Sequence, residues 1–186
     1  YTGNATNRSV TLGWEPQYVL IKNTTNADNW IVFDMMRGVA TGGVDAYLIP
    51  NSTSSEEAGT DYITFGATGF TVHTGYGLIN EWLFKRATGF MDEVCYTGNS
   101  AVSTVDNKSH NLGVVPELII FKDRSGTDDW QVYHSAIGET KQIRLNSTVW
   151  AVSSAYMNNT APTSSVFTAN GGFLNSDGVT YIAYLF

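Results

Sequence analysis

The sequence predicts an all-β fold made of two tandem, diverged repeats that form β-sandwich or jelly-roll-like units, and three observations carry that expectation. The first is composition. Among 186 residues, 42% are hydrophobic, with 5 Trp, 10 Tyr and 9 Phe, and aromatic side chains suit a pleated, half-buried surface. The second is punctuation. The 18 glycines and the many Asn, Ser and Thr residues supply turn chemistry, while no long Ala/Leu/Glu/Lys-rich stretch repeats with a helical period. The third is internal repetition, which is the strongest signal.

Leu12-Gly-Trp-Glu-Pro-Gln-Tyr-Val-Leu-Ile-Lys22 matches Leu112-Gly-Val-Val-Pro-Glu-Leu-Ile-Ile-Phe-Lys122 at an offset of 100. That register continues through Asp28 and Asp128, Trp30 and Trp130, Val32 and Val132, and Gly38 and Gly138. Tyr1-Thr-Gly-Asn4 returns as Tyr96-Thr-Gly-Asn99, and Asn51-Ser-Thr53 as Asn146-Ser-Thr148, both at an offset of 95. Both repeats close on an aromatic segment, Glu81-Trp-Leu-Phe84 and Ala183-Tyr-Leu-Phe186. The repeats are expected to span residues 1–90 and 91–186. No Pro- or Ser-rich linker separates them, so tight packing is expected, as two fused sandwiches or one pseudo-symmetric sandwich.

The elements follow in order. Tyr18–Ile21 and Leu118–Phe121 are unbroken apolar runs behind a Gly and a Pro, as expected of a central strand covered on both faces. Polar turns at Asn23–Asn29 and Asp123–Asp129 lead into Trp30-Ile-Val-Phe33 and Trp130-Gln-Val-Tyr133, which makes a hairpin in each repeat. Trp and Val recur two residues apart, hence on one face, while Ile31 becomes Gln131 between them. The Trp–Val face is therefore expected to be core, with Trp30 and Trp130 buried at equivalent places, and the other face free to drift towards solvent. Further strands are expected at Tyr47–Ile49, Tyr62–Phe65, Phe70–His73, Leu78–Phe84 and Glu93–Tyr96. In the second repeat they are expected at Gln142–Leu145, Val149–Val152, Ser165–Thr168 and Thr180–Phe186. Short strands at this spacing suit a sandwich.

Charge and motifs narrow the function. The net charge is −7, with only 10 Lys and Arg, so no nucleic-acid or anionic-membrane partner is expected, because phosphate binding needs clustered cations. No apolar run reaches the roughly 20 residues of a membrane span, so no membrane insertion is expected. The chain opens at Tyr1 without a Met or a signal-like segment and stops at Phe186 inside an apolar run, which suggests a piece of a longer polypeptide. The single cysteine, Cys95, excludes an internal disulfide and a thiolate metal cluster. Nucleophile elbow, phosphate loop, H-E-x-x-H and C-x-x-C signatures are all missing. Asp34, Glu56, Glu57, Asp61, Glu81, Asp92 and Glu93 could in principle serve a glycosidase, but nothing in the spacing pairs them across a sugar. Glu56-Glu57 is expected in a polar loop. His73, His110 and His134 are separated, and His134 stands where the first repeat has Asp34. Neither a metal site nor a cofactor is expected.

The Tyr-Thr-Gly-Asn tetrads, the Leu-Gly-x-x-Pro strands, the Trp-x-Val hairpins, Asn158-Asn-Thr-Ala-Pro-Thr-Ser-Ser-Val-Phe167 and Gly178-Val-Thr-Tyr-Ile-Ala-Tyr-Leu-Phe186 resemble a repeated domain of large tail and fibre proteins of marine and other tailed phages. In those proteins it often stands beside lectin-like sandwich modules. The resemblance covers nearly the whole chain. It implies a non-enzymatic virion module on the particle surface, in a tail fibre or receptor-binding component, contacting a host surface glycan or protein. Its implied partners are other virion proteins and neighbouring modules of a longer chain, and a homo-oligomer is expected. A capsid-decorating or head-fibre protein is the structural alternative, and a glycan-cleaving domain the enzymatic one. No catalytic residues carry over, since that family has no agreed catalytic motif. A ligand surface is expected to use aromatics that differ between the repeats, because shared ones are explained by the common core. Trp14, Tyr76, Trp150 and Tyr156 meet that criterion, with Asn158 and Asn159 as nearby polar partners.

Overall fold

The computed structural model describes residues 7–38, 44–73, 79–100 and 106–186. Contacts divide the chain into two compact units. One contains Tyr1–Asn51 with Glu56–Lys85, the other Arg86–Phe186 together with the four residues Ser52–Ser55.

The first unit has eight described strands: β1 (Arg8–Thr11), β2 (Tyr18–Asn23), β3 (Trp30–Asp34), β4 (Val44–Tyr47), β5 (Glu57–Thr60), β6 (Ile63–Gly66), β7 (Gly69–Val72) and β8 (Ile79–Phe84). One sheet has the order β3-β2-β8, and a second has the order β1-β7-β6. The β4–β5 hairpin joins the edge of the first sheet through a Val32–Leu48 bridge. The second unit has β9 (Asp92–Thr97), β10 (Asp106–Ser109), β11 (Leu118–Asp123), β12 (Gln131–His134), β13 (Lys141–Arg144), β14 (Val152–Ser153), β15 (Val166–Ala169) and β16 (Thr180–Leu185), with one helical turn, α1 (Gly171–Leu174). Its main sheet runs β14-β13-β12-β11-β16-β9, and β10 pairs with β15. Thus β3-β2-β8 repeats as β12-β11-β16, and β1-β7 as β10-β15. The strand of the first unit that lacks a described counterpart is β6.

The repeated residues explain the repeated geometry. Gly13 and Gly113 have φ of 78° and 77°, and Gly38 and Gly138 have 93° and 76°. Side chains with a Cβ rarely adopt these values. Asn23 Oδ1 accepts the Thr25 and Asn26 N–H groups, and Asp123 Oδ1 accepts those of Ser125 and Gly126. The two hairpin turns are therefore folded by the same local device.

Each unit packs its two sheets face to face. Alternation along β2 and β11 points Val19 and Ile21, or Ile119 and Phe121, inward to meet Phe70 and Val72, or Phe167 and Ala169, from the facing sheet. Phe121 and Phe167 touch edge-on at 5.5 Å between centroids.

The core face of the second hairpin strand differs from the sequence expectation. Phe33 and Tyr133 belong to the two cores, with Ile31 packed beside the first. Alternation then places Trp30, Val32, Trp130 and Val132 on the opposite, outer face of the sheet. Gln131 does not drift to solvent either and is 1% exposed. The outer face is itself covered at Val32, Val132 and Trp130, which is why the Trp–Val pattern reads as core. Trp30 is only half-buried, so the two tryptophans are not equivalently buried. Glu57 begins β5 instead of standing in a loop, and its carboxylate accepts the Tyr47 hydroxyl at 2.6 Å.

Candidate functional site

The outer face of the first unit's sheet gathers large side chains that are not fully buried. Alternation puts Tyr18, Leu20 and Lys22 of β2 outward beside Trp30 of β3 and Trp82 and Phe84 of β8. The register sets Leu20 opposite both Val32 and Trp82, Lys22 opposite Trp30, and Tyr18 opposite Phe84. Trp30 and Trp82 pack at 5.2 Å between centroids, and Tyr18 and Phe84 at 5.5 Å. None of Tyr18, Leu20, Trp30 or Phe84 is fully buried, and Trp82 is 41% exposed.

The second unit carries the same constellation in buried form. Trp130 stacks on Tyr184 at 6.5 Å and 16°, and both are 1% exposed, with Lys122 fully buried beside them. Ser52–Ser55, which belong to this unit, supply acceptors to that face. The Trp130 indole Nε1–H donates to the Ser52 carbonyl at 3.1 Å, and Lys122 Nζ donates to the Thr53 carbonyl at 3.2 Å. Lys122 Nζ also donates to the carbonyls of Gly126 at 3.2 Å and Asp128 at 2.9 Å. Burial pushes the Lys122 ammonium below its ordinary pKa, and the nearby carboxylates of Asp123, Asp128 and Asp129 act in the opposite sense.

The residues singled out from the sequence do not form one site. Trp14 is half-buried in the turn before β2, in the first unit. Tyr76 lies outside the described residues. Trp150 is 90% exposed. Asn158 and Asn159 are exposed in a turn with φ of 52° and 50°, left-handed values that Asn tolerates better than most residues. Tyr156 is 2% exposed and belongs to the core, which corrects its placement at a ligand surface. Its ring meets Phe121 edge-on at 6.3 Å, and its hydroxyl donates to the Lys141 carbonyl at 3.2 Å. Difference between the repeats selected it, but the second unit fills that part of its core with its own ring. Sequence reasoning missed Trp82, whose signal was the pairing of two tryptophan-bearing strands with the apolar β2 run.

Arg37 brings Asp34 and Glu56 together: its Nε donates to Asp34, its Nη1 lies 3.3 Å from Glu56, and its Nη2 donates to the Val32 carbonyl at 2.9 Å. The Asp34 and Arg37 side chains are completely buried, so a sugar could not pass between them. Among the described residues no three His, Cys, Asp or Glu side chains cluster as metal ligands. His110 Nδ1 accepts the Leu112 N–H at 3.3 Å, and Nε2 lies 3.2 Å from the Thr163 carbonyl. That arrangement suits the neutral ring with its proton on Nε2, and burial lowers its pKa.

The profile of a family described as "Domain of unknown function (DUF7483)" matches residues 1–82 and again residues 84–186. No curated protein and no solved structure matches the chain.

Proposed function

We propose that this chain, which belongs to the family described as "Domain of unknown function (DUF7483)" and carries two copies of its domain, serves as a non-catalytic structural module on the surface of a phage virion. In this reading it sits in a tail fibre or receptor-binding component and contacts a host surface glycan or protein. The phage setting comes from the resemblance of its Leu-Gly-x-x-Pro strands and Trp-x-Val hairpins to tail and fibre domains. The observation that carries the structural role is a repeated sandwich that leaves large rings in solvent, Trp82 at 41% and Trp150 at 90%. Trp82 packs against the half-buried Trp30, and large apolar side chains grouped at a surface suit a module that assembles. An acidic surface with a net charge of −7 also suits an extracellular contact better than binding to a polyanion. Trp14 in the first unit and the Asn158-Asn159 turn in the second are separate candidates for host contact: a ring can stack on an apolar sugar face, and amides can bind hydroxyls.

Antibodies against the chain should decorate intact virions. Labelling of the tail supports the fibre reading, labelling of the head supports a capsid-decorating protein, and absence of the chain from purified particles refutes both. The purified chain should also bind host cells and leave their surface glycan uncut. Release of sugar fragments would overturn the non-catalytic part of the proposal.

A further inference from the structure

The same sheet face occurs twice in this chain and is covered once. Lys22 Nζ donates to the Asp28 carbonyl at 2.6 Å, as Lys122 does to Asp128 at 2.9 Å, and the Trp30–Trp82 contact corresponds to Trp130–Tyr184. In the second unit, Ser52 and Thr53 place their carbonyls on the Trp130 indole and the Lys122 ammonium. On the first unit Trp30 is half-buried and Trp82 is exposed.

The piece that could cover this face is also in the chain. Asn51-Ser-Thr53 recurs as Asn146-Ser-Thr148, and the two segments are built alike. Asn51 Oδ1 accepts the Trp30 N–H at 3.0 Å, and Asn146 Oδ1 accepts the Trp130 N–H at 2.9 Å. Ser52 Oγ accepts the Ser54 N–H at 3.1 Å, and Ser147 Oγ accepts the Val149 N–H at 3.2 Å. The second segment leaves Val149 51% and Trp150 90% exposed.

We propose that the Ser147–Trp150 loop of one copy of this chain docks on the Lys22–Trp30–Trp82 face of a second copy. The carbonyls of Ser147 and Thr148 then stand where those of Ser52 and Thr53 stand in the second unit, and receive the Trp30 indole N–H and the Lys22 ammonium. Trp150, in the place of Ser55, buries its ring against Trp82. A second copy is the occupant because the matching segment, with the same Asn and Ser hydrogen bonds, is the chain's own. Two different surfaces meet, so the contact is heterologous. Each pair keeps one free loop and one free face and grows head to tail into a file or a ring. Trp150 is thereby assigned to assembly, leaving Trp14 and the Asn158-Asn159 turn for host contact. Self-association is a property of the isolated chain and stands apart from the virion reading.

Sedimentation velocity across a concentration series tests it. The full chain should shift to larger species as concentration rises. A V149D/W150D chain, altered only at exposed positions, and a Trp82→Asp chain should each remain monomeric while melting as cooperatively as the parent. Mixed together, they should form a dimer and nothing larger, because one supplies an intact face and the other an intact loop. Lys22→Gln serves as a milder face variant should Trp82→Asp melt early. A parent chain that stays monomeric, association that survives the loop and face variants, or a mixture that forms no dimer would each overturn the proposal.

Discussion

Replacing the two equivalent tryptophans by alanine should have unequal effects on stability. Trp130 is 1% exposed, and a fully buried indole removes roughly 150–250 Å² from water. At about 25 cal/mol per Å² that sets an upper bound near 4–6 kcal/mol. Measured losses for Trp or Phe to Ala in closed cores run about 3–5 kcal/mol, which includes the cavity left behind. Trp130→Ala should therefore cost about 3–5 kcal/mol, of which about 1 kcal/mol is the indole bond to the Ser52 carbonyl. Trp30 is half-buried against Trp82, itself 41% exposed, so truncation there leaves an open hollow that water fills instead of a cavity. The expected loss is about 1–2 kcal/mol: a ring–ring contact of about 0.5–1.5 kcal/mol and part of the transfer free energy. Urea titrations followed by circular dichroism would measure both, with the slope checked for a change in the unfolded state. Trp130→Phe should recover most of the Trp130→Ala loss, since the ring is restored without its N–H. Equal midpoints for Trp30→Ala and Trp130→Ala would refute the claim that one outer face is covered and the other open.

Other expectations follow from buried polar groups and from close backbone approach. The folded state holds the His110 pKa below its ordinary value of 6.5, mainly by burial. The unfolded chain therefore takes the proton first, and stability should fall as pH drops through about 6.5 towards the folded value; His110→Gln should flatten that part of a pH–stability curve, and an unchanged slope would contradict the assignment. Arg37→Ala removes one partner of a completely buried ion pair with Asp34, and should cost about 3–5 kcal/mol in a thermal or chemical melt. At Gly69 an added Cβ would lie 1.9 Å from the Val10 carbonyl oxygen, so Gly69→Ala should part β1 from β7. Hydrogen exchange of the Arg8–Thr11 amides should then accelerate well ahead of exchange in β2.

The sequence by itself determined the all-β class, the two repeats and the central hairpins. Those features are local. Apolar runs such as Tyr18–Ile21 carry their strand signal in their own side chains, and the glycines at 13, 38, 113 and 138 hold φ values that few other residues adopt. Strands with polar sequences were not legible. Arg8–Thr11, Glu57–Thr60 and Asp106–Ser109 become strands because partners pair with them, and such pairing depends on neighbours more than on intrinsic preference. Local pattern also named the wrong face as the sandwich core, since Trp–Val and Phe or Tyr alternate along the same strand and all are apolar. Trp30 and Trp130 stand at matching places in the repeat, each two residues after an Asp and two before a Val, and differ in how space around them is filled. Ser52 reaches Trp130 from 78 residues away, and that distant contact is what the tertiary structure decided: which of two matching faces is covered and which is left open.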